Sequence, residues 1–353
     1  MEISNVEYID QYLPALRDKF HEDTQNAILQ NREEIYEKLI KQMQGFVTFV
    51  GKFQEQVPVE LEEVQIALLQ TSVHLNKPQV AISAYGEGGL LGTEVLNIKY
   101  DASWLFTQWE AYRQAIINQV VELHAEKCIR EAAVRQMMWE SMDYLIYCLY
   151  AVTKYMFTEF DHMRGFDNLL LTEDFRLSVG GYRDWRRVLF CRRKPVDIFF
   201  REKKDPITYA VFCEAVYNRK KFEKLDLTKA RFYDCEFVHC TFSVICFRDT
   251  VFENCRFYHC TFEETDFCGA TMRSVTMKKD TFSHTTWNYV PDMEHLDTVT
   301  DIYKGVEWSE CVLESLTFTA SDVRGMNQAA CTIVEVELQE CENDGNVFEE
   351  ETV

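Results

Sequence analysis

No stretch of this 353-residue chain reaches the ~20 apolar residues that a membrane-spanning helix requires. The longest apolar segment, 144–152, is flanked by Asp143 and Lys154 and reads as a buried helix. The N-terminus, Met-Glu-Ile-Ser-Asn, lacks the basic-then-apolar pattern of a secretory leader. No membrane partner is therefore expected, and cytoplasmic residence is the default. Catalytic signatures are missing as well: there is no nucleophile elbow, zinc-protease motif, dinucleotide fingerprint or kinase set. Bases are scarce, with 37 Lys and Arg against 58 Asp and Glu, a net charge of −21. The deficit is uneven. Residues 1–220 are net −6, residues 221–290 carry 10 acids against 9 bases, and residues 291–353 carry 16 acids against 2 bases. The acidity is thus a C-terminal property.

What the chain does have is apolar and aromatic residues, 47 % and 14 % of the total, enough to bury an ample core over a length that suits two domains. Thirteen large residues recur at every fifth position: Leu227, Phe232, Phe237, Phe242, Phe247, Phe252, Phe257, Phe262, Phe267, Met272, Met277, Phe282 and Trp287. Eight consecutive Phe in one register have a chance probability of roughly one in a billion, which demands a repeat architecture. The period is neither 3.6 nor 2, so neither an amphipathic helix nor a simple strand explains it. A second register lies two residues earlier and is mostly small or slim, with Ala230, Cys235, Cys240, Cys255, Cys260 and Ala270 among its members. A chain that buries two residues in five must turn a corner every five residues. Four such faces close a square coil of twenty.

These paired registers resemble the pentapeptide-repeat family over about residues 222–289. The resemblance implies a right-handed quadrilateral β-helix in which residues 20 apart stack at about 4.8 Å. Phe237 is then expected on Phe257, and Phe242 on Phe262. The five-residue spacing resumes one residue out of phase at Trp308, Leu313, Phe318 and Val323, beyond an inserted loop at 288–304. Cys331 to Leu338 reads as a short strand pairing with the last coil, and 339–353 as an acidic disordered tail.

The thirteen cysteines invite a disulfide or zinc reading, which the repeat opposes. Cys235, Cys240, Cys255 and Cys260 occupy the small inward position, where a thiol is a compact hydrophobe, while His239 and His259 point outward. They do not converge on one tetrahedral ion. No metal, cofactor or catalytic residue is expected.

The N-terminal half resembles no family. Ile35, Leu39, Met43, Phe46, Val47 and Val50 mark a helix face that Gly51 and Pro58 punctuate. Segments 64–68, 80–85 and 94–100 read as a small antiparallel meander. The glycine-rich loop 86–92 between two of them reads as a hairpin turn; it lacks the Lys-Ser/Thr of a phosphate loop. Leu105, Trp109, Tyr112, Ile116 and Val120 begin a further helical region. His124 and Cys128, four apart, lack a third metal ligand nearby.

The expected organisation is therefore an α+β domain at 1–180, mostly helical with the meander near 62–100. A basic connector with a capping helix follows at 181–221, then the solenoid at 222–338. The capping helix is placed at 208–217 by the spacing of Tyr209, Phe212, Cys213 and Val216. Arg183, Arg186, Arg187, Arg192, Arg193 and Lys194 form a candidate partner-binding basic patch in the connector. Function is expected to be non-enzymatic binding of a protein partner, with a second copy of the chain as a further partner. One alternative is a DNA mimic that binds a type II topoisomerase, as some pentapeptide-repeat proteins do. The near-neutral coils oppose that reading, because a DNA-like rod needs acids along its length. Nucleic acid itself is not an expected partner. A second alternative is an enzyme with its site in the N-terminal half, using residues such as His74, Tyr85 and Asp101, which no motif supports.

Overall fold

The computed structural model describes residues 3–74, 77–154, 156–157, 160–199, 207–288 and 305–343. Two compact units divide the chain between Arg192 and Arg193.

The first unit opens with α1 (Asn5–Gln11), where the Ser4 side chain accepts a hydrogen bond from the Glu7 amide and caps the first turn. α2 (Leu13–Gln30) carries Pro14 in its first turn, where no amide partner is lost. α3 (Arg32–Gln56) buries Ile35, Leu39, Met43, Phe46, Val47 and Val50, the face that the spacing predicts. Gly51 does not end this helix. A mid-helix glycine costs only ~1 kcal/mol, which the six buried side chains outweigh, and the helix stops two residues before Pro58.

The three segments read as strands are β1 (Leu61–Leu68), then, after the short α4 (Gln70–His74), β2 (Gln79–Tyr85) and β3 (Glu94–Asp101), an antiparallel meander. Helices α5 (Trp109–Glu122), α6 (Glu131–Glu140) and α7 (Met142–Lys154) follow. The sheet then gains two strands that the sequence reading left out. β4 (Leu171–Gly181) runs parallel to β1, and β5 (Arg186–Cys191) runs antiparallel to β4, giving the order β3-β2-β1-β4-β5. α7 packs against β4 and β5, and almost all of its side chains are buried. Among the described residues, no helix is long and apolar enough to cross a membrane.

The second unit is a right-handed quadrilateral β-solenoid of six coils, and its pattern explains itself residue by residue. Strands Val211–Cys213, Arg231–Tyr233, Val251–Glu253, Thr271–Arg273, Glu307–Ser309 and Asn327–Ala329 stack in parallel as one six-stranded sheet. The capping helix expected at 208–217 is corrected: Val211–Cys213 and Val216–Asn218 are strands of the first coil. The same apolar residues satisfy helical and five-residue spacing over one short segment. The stack decides between them, because Phe212 lies on Phe232 at 4.6 Å and Tyr217 on Phe237 at 5.2 Å.

Every large residue from Leu227 to Trp287 is buried, as are Ala230, Cys235, Cys240, Cys255, Cys260 and Ala270. Phe237 stacks on Phe257 at 4.7 Å. Phe222, Phe242, Phe262, Phe282 and Phe318 form a continuous column with centroid separations of 4.6, 4.7, 4.7 and 4.6 Å. Such contacts are worth ~0.5–1.5 kcal/mol each beyond the area they bury.

The apparent slip of phase after Trp287 has an arithmetic cause. Thr271 pairs with Glu307, 36 residues on where a coil takes 20, so 16 residues are inserted and the register is otherwise kept. Sixteen exceeds a multiple of five by one, hence the slip. The insertion itself, 289–304, lies outside the described residues, as does 344–353 of the expected tail. Residues 339–342 belong instead to the last coil: strand Thr332–Gln339 pairs with Val312–Thr319, and Glu342 bridges to Asp322.

Candidate functional site

Each coil turns through a residue with positive φ, the second after each large one: Glu214, Arg219, Lys224, Lys229, Asp234, His239 and so on, at φ near +54°. That left-handed turn sends the backbone round the corner and presents its side chain outward. The positions on either side of the large residue also face out. Three positions in five are therefore surface, arranged in columns with one side chain per coil.

The inward small position has a defined polarity. The thiols of Cys235, Cys240, Cys255 and Cys260 donate to the carbonyls of Phe212, Tyr217, Phe232 and Phe237, 23 residues earlier, at 3.3–3.5 Å. Thr250 Oγ1 does the same to the Leu227 carbonyl at 2.9 Å. Burial, with the contact to Cys235, drives the Cys255 thiol upward. These thiols are core donors. His239 and His259 point outward and stack at 4.9 Å. Among the described residues no group of three metal-ligating side chains gathers.

Asp280 breaks this pattern. It occupies the small slot, fully buried, with Oδ1 accepting the Cys260 amide at 2.6 Å and Oδ2 without a partner. Burial raises its carboxyl from 3.8 to about 7.

In the first unit, polar side chains meet where β1 bulges against β4. Glu63 is fully buried, and its Oε1 accepts Ser178 Oγ at 2.6 Å and Arg186 Nε at 2.8 Å. Glu62 accepts the Gly88 amide at 2.9 Å. Gly88 sits at φ +90° in the β2–β3 hairpin, and a Cβ on neighbouring Gly89 would lie 3.0 Å from Glu63 Oε2. The loop 86–92 is thus a hairpin turn hydrogen-bonded to Glu62 and packed closely on Glu63. Glu94 accepts Tyr85 OH at 3.3 Å and Tyr182 OH at 2.6 Å, which raises Tyr182 to about 12.

The basic patch read from the sequence is distributed through this unit. Arg186 pairs with Glu63, Arg183 lies over the Tyr85 ring, Arg187 lies over Tyr147 and Tyr150, and Arg192 Nη1 donates to the Leu171 carbonyl. Arg193 and Lys194 fall in the second unit. The enzyme candidates are not brought together. Tyr85 and Asp101 lie at opposite ends of the β2–β3 hairpin, and Asp101 accepts Ser103 Oγ. The side chain of His74 is outside the described residues. His124 occupies a left-handed turn, and Cys128 is exposed. An open groove of about 660 Å³ between α5 and α6 is walled by Trp109, Trp139 and Met138, and its Arg113 is tied to Glu110 and Glu131. Burial holds His21 low, at about 4, with its ring stacked on Tyr144.

The parallel square coils, their two inward registers and the regular corner turns define a solenoid repeat protein. Within it, residues 227–271 match the family model described as Pentapeptide repeats (9 copies). Among solved structures, the chain is similar to full-length QnrB1, a plasmid-mediated fluoroquinolone resistance protein. The identity is 15 %, with 38 % of this chain and 78 % of that one covered and a TM-score of 0.20. It is also similar to HetL, a pentapeptide-repeat protein involved in heterocyst differentiation regulation from the cyanobacterium Nostoc. There the identity is 10 %, the coverage 43 % and 94 %, and the TM-score 0.11. With TM-scores this low, neither likeness carries an argument about this chain. No curated protein sequence matches the chain.

Proposed function

We propose that this chain is a non-enzymatic interaction protein whose solenoid and helical unit bind a protein partner. The observation that carries the reading is the rigid outer surface of the coils, where three side chains in five project at fixed inter-coil spacing from a core of stacked aromatics. Such a surface suits recognition of another macromolecule. In the first unit, the polar cluster around Glu63 is spent on holding strands and a hairpin together, which favours binding over catalysis. All thirteen cysteines are free thiols, which supports residence in a reducing compartment, the cytoplasm. The reading extends to self-association through the last coil. Among the described residues nothing pairs with the outer edge of Thr332–Gln339, and Ile333, Val336 and Leu338 there are half-buried. An exposed edge of this kind invites a second copy.

The test is affinity capture of the tagged full chain from its native host, with mutual cross-linking and identification of the bound protein. A stoichiometric partner supports the reading; repeated capture with none defeats it. A type II topoisomerase in the eluate, with loss of supercoiling activity on adding the pure chain, would replace it with the DNA-mimic alternative. Light scattering at micromolar concentration reads the dimer.

A further inference from the structure

One corner of the solenoid differs from the others in charge. Arg219, His239, His259 and Lys279 occupy its left-handed turns in four successive coils, at φ 53°, 51°, 54° and 57°. Each amide donates to a carbonyl one coil on: Val238, Tyr258, Lys278 and Glu314, at 2.8–3.0 Å. The row is therefore locked to the coil spacing and runs about 14 Å, three inter-strand steps. All four side chains are exposed. Lys220 and Lys221 widen the row in the first coil and Lys278 in the fourth, with Thr241, Thr261 and Thr281 beside it. Residues 218–221, 238–241, 258–261 and 278–281 hold one acid, Asp280, and it faces the core. Among the described residues Arg219, Lys221 and Lys279 have no ion-pair partner. The same edge changes sign in the last two coils, where Glu314, Glu335 and Glu337 stand; Lys278 pairs with Glu314 at the junction, at 2.6 Å.

We infer that this edge is the docking strip for an extended, acidic segment of a partner protein. The inference rests on the interaction reading above and names the partner's chemistry. An extended chain places alternate side chains about 6.8 Å apart, so acidic residues on one side can meet Arg219 with Lys221 at one end of the row and Lys279 at the other. The Glu end repels acidic residues, so the acidic stretch of the segment is confined to the first four coils. Single-stranded nucleic acid is the poorer fit. Its recognition relies on aromatic platforms for successive bases, and the strip offers only the half-buried Tyr258 beside two histidines already stacked on each other.

The experiment uses the full chain and a fluorescein-labelled peptide of about six residues alternating Glu and Ser, read by anisotropy at two salt concentrations. A Gln-Ser peptide and an oligothymidylate of equal charge serve as comparisons. The double variant Arg219→Glu/Lys279→Glu is expected to weaken the acidic peptide by about tenfold or more, as for reversal of complementary charge. The control Arg256→Glu/Arg273→Glu makes the same change of net charge elsewhere on the coils and is expected to change binding less than about twofold. Arg219→Gln/Lys279→Gln repeats the measurement with a milder change if the reversal perturbs the melt. Equal losses in both double variants would assign the effect to net charge and overturn the strip, as would no binding of the acidic peptide to wild type. Oligothymidylate binding as tight as the peptide's and lost in the same variant would overturn the choice of partner. Capture from the native host separates the two levels. A partner retained by the strip variant sinks this inference alone, whereas a partner captured by neither chain sinks the interaction reading itself.

Discussion

Asp280 is expected to make the solenoid less stable as pH rises, and the size of the effect follows from its surroundings. Its neighbours in the same register are Val275 and Thr285, and the slot is built for a small group that donates to the carbonyl 23 residues back, as Thr250 does to Leu227. A carboxylate has no proton to give. Burial raises its carboxyl from 3.8 to about 7, so the folded state holds the proton more tightly than the unfolded chain. The stabilisation this supplies is complete below pH 3.8 and is lost progressively as pH rises through 7. At about 1.4 kcal/mol per pH unit between the two values, the full loss is about 4 kcal/mol, of which about 2.5 falls between pH 5 and pH 8. Asp280→Thr places a hydroxyl in reach of the Phe257 carbonyl and removes the titration. The difference in urea stability between Asp280→Thr and wild type, read by amide exchange in Thr271–Arg273 and Thr281–Ser283, should grow by that amount from pH 5 to pH 8. Asp280→Asn should show the same flattening with a smaller gain, since its amide leaves buried donors unpaired. A difference that is constant across this range, or one that shrinks, would refute the assignment of a raised carboxyl to this slot.

Val244 sits at φ +57° and is 44 % exposed, a β-branched residue where such a side chain is strained. Val244→Asn should stabilise the solenoid by about 1 kcal/mol, read as a higher urea midpoint; an unchanged or lower midpoint contradicts the strain. Phe262 stacks between Phe242 and Phe282 at 4.7 Å on each side, and Phe262→Ala should cost about 3–5 kcal/mol, measured by thermal unfolding of the repeat unit. In the first unit, Arg186→Gln leaves the buried Glu63 carboxylate without its cation and should cost about 3 kcal/mol. A loss below about 1 kcal/mol would mean that the pair acts as a surface contact.

The core of the solenoid was legible because one inward geometry repeats, so each Phe is a separate reading of the same constraint. The first coil was not, because Phe212 and Tyr217 give too few turns of the period to outweigh helical spacing; only the rings of Phe232 and Phe237 above them settle it. The last coil was partly hidden for the opposite reason. Gln328 and Asn343 stand where large apolar residues belong, since a terminal coil has one packed neighbour and tolerates polar groups there. In the first unit the meander showed itself by alternation, but β4 reaches β1 from more than a hundred residues away, and local pattern carries no information about such a parallel pairing. The arginines of β5 read as a partner-binding patch because sequence shows a charge without its counter-charge. Glu63, which binds Arg186, lies 123 residues earlier.

Charge on the coils teaches the same lesson in sharper form. Residues 221–290 carry 10 acids and 9 bases, a balance that argues against a DNA-like rod. It also conceals the corner that runs from Arg219, just before this range, through His239 and His259 to Lys279, because summing along the chain mixes four edges that point in four directions. A solenoid of twenty-residue coils is read by residue number modulo twenty, with the inserted 16 removed. Written in such rows, Arg219, His239, His259, Lys279, Ser315 and Glu335 fall in one column, with Glu314 and Glu337 in the columns beside it. A charge sum taken along the chain discards that arrangement. A partner would meet the molecule by column. The field at one edge, unscreened over about a Debye length, therefore bears on recognition more directly than the net charge of the domain.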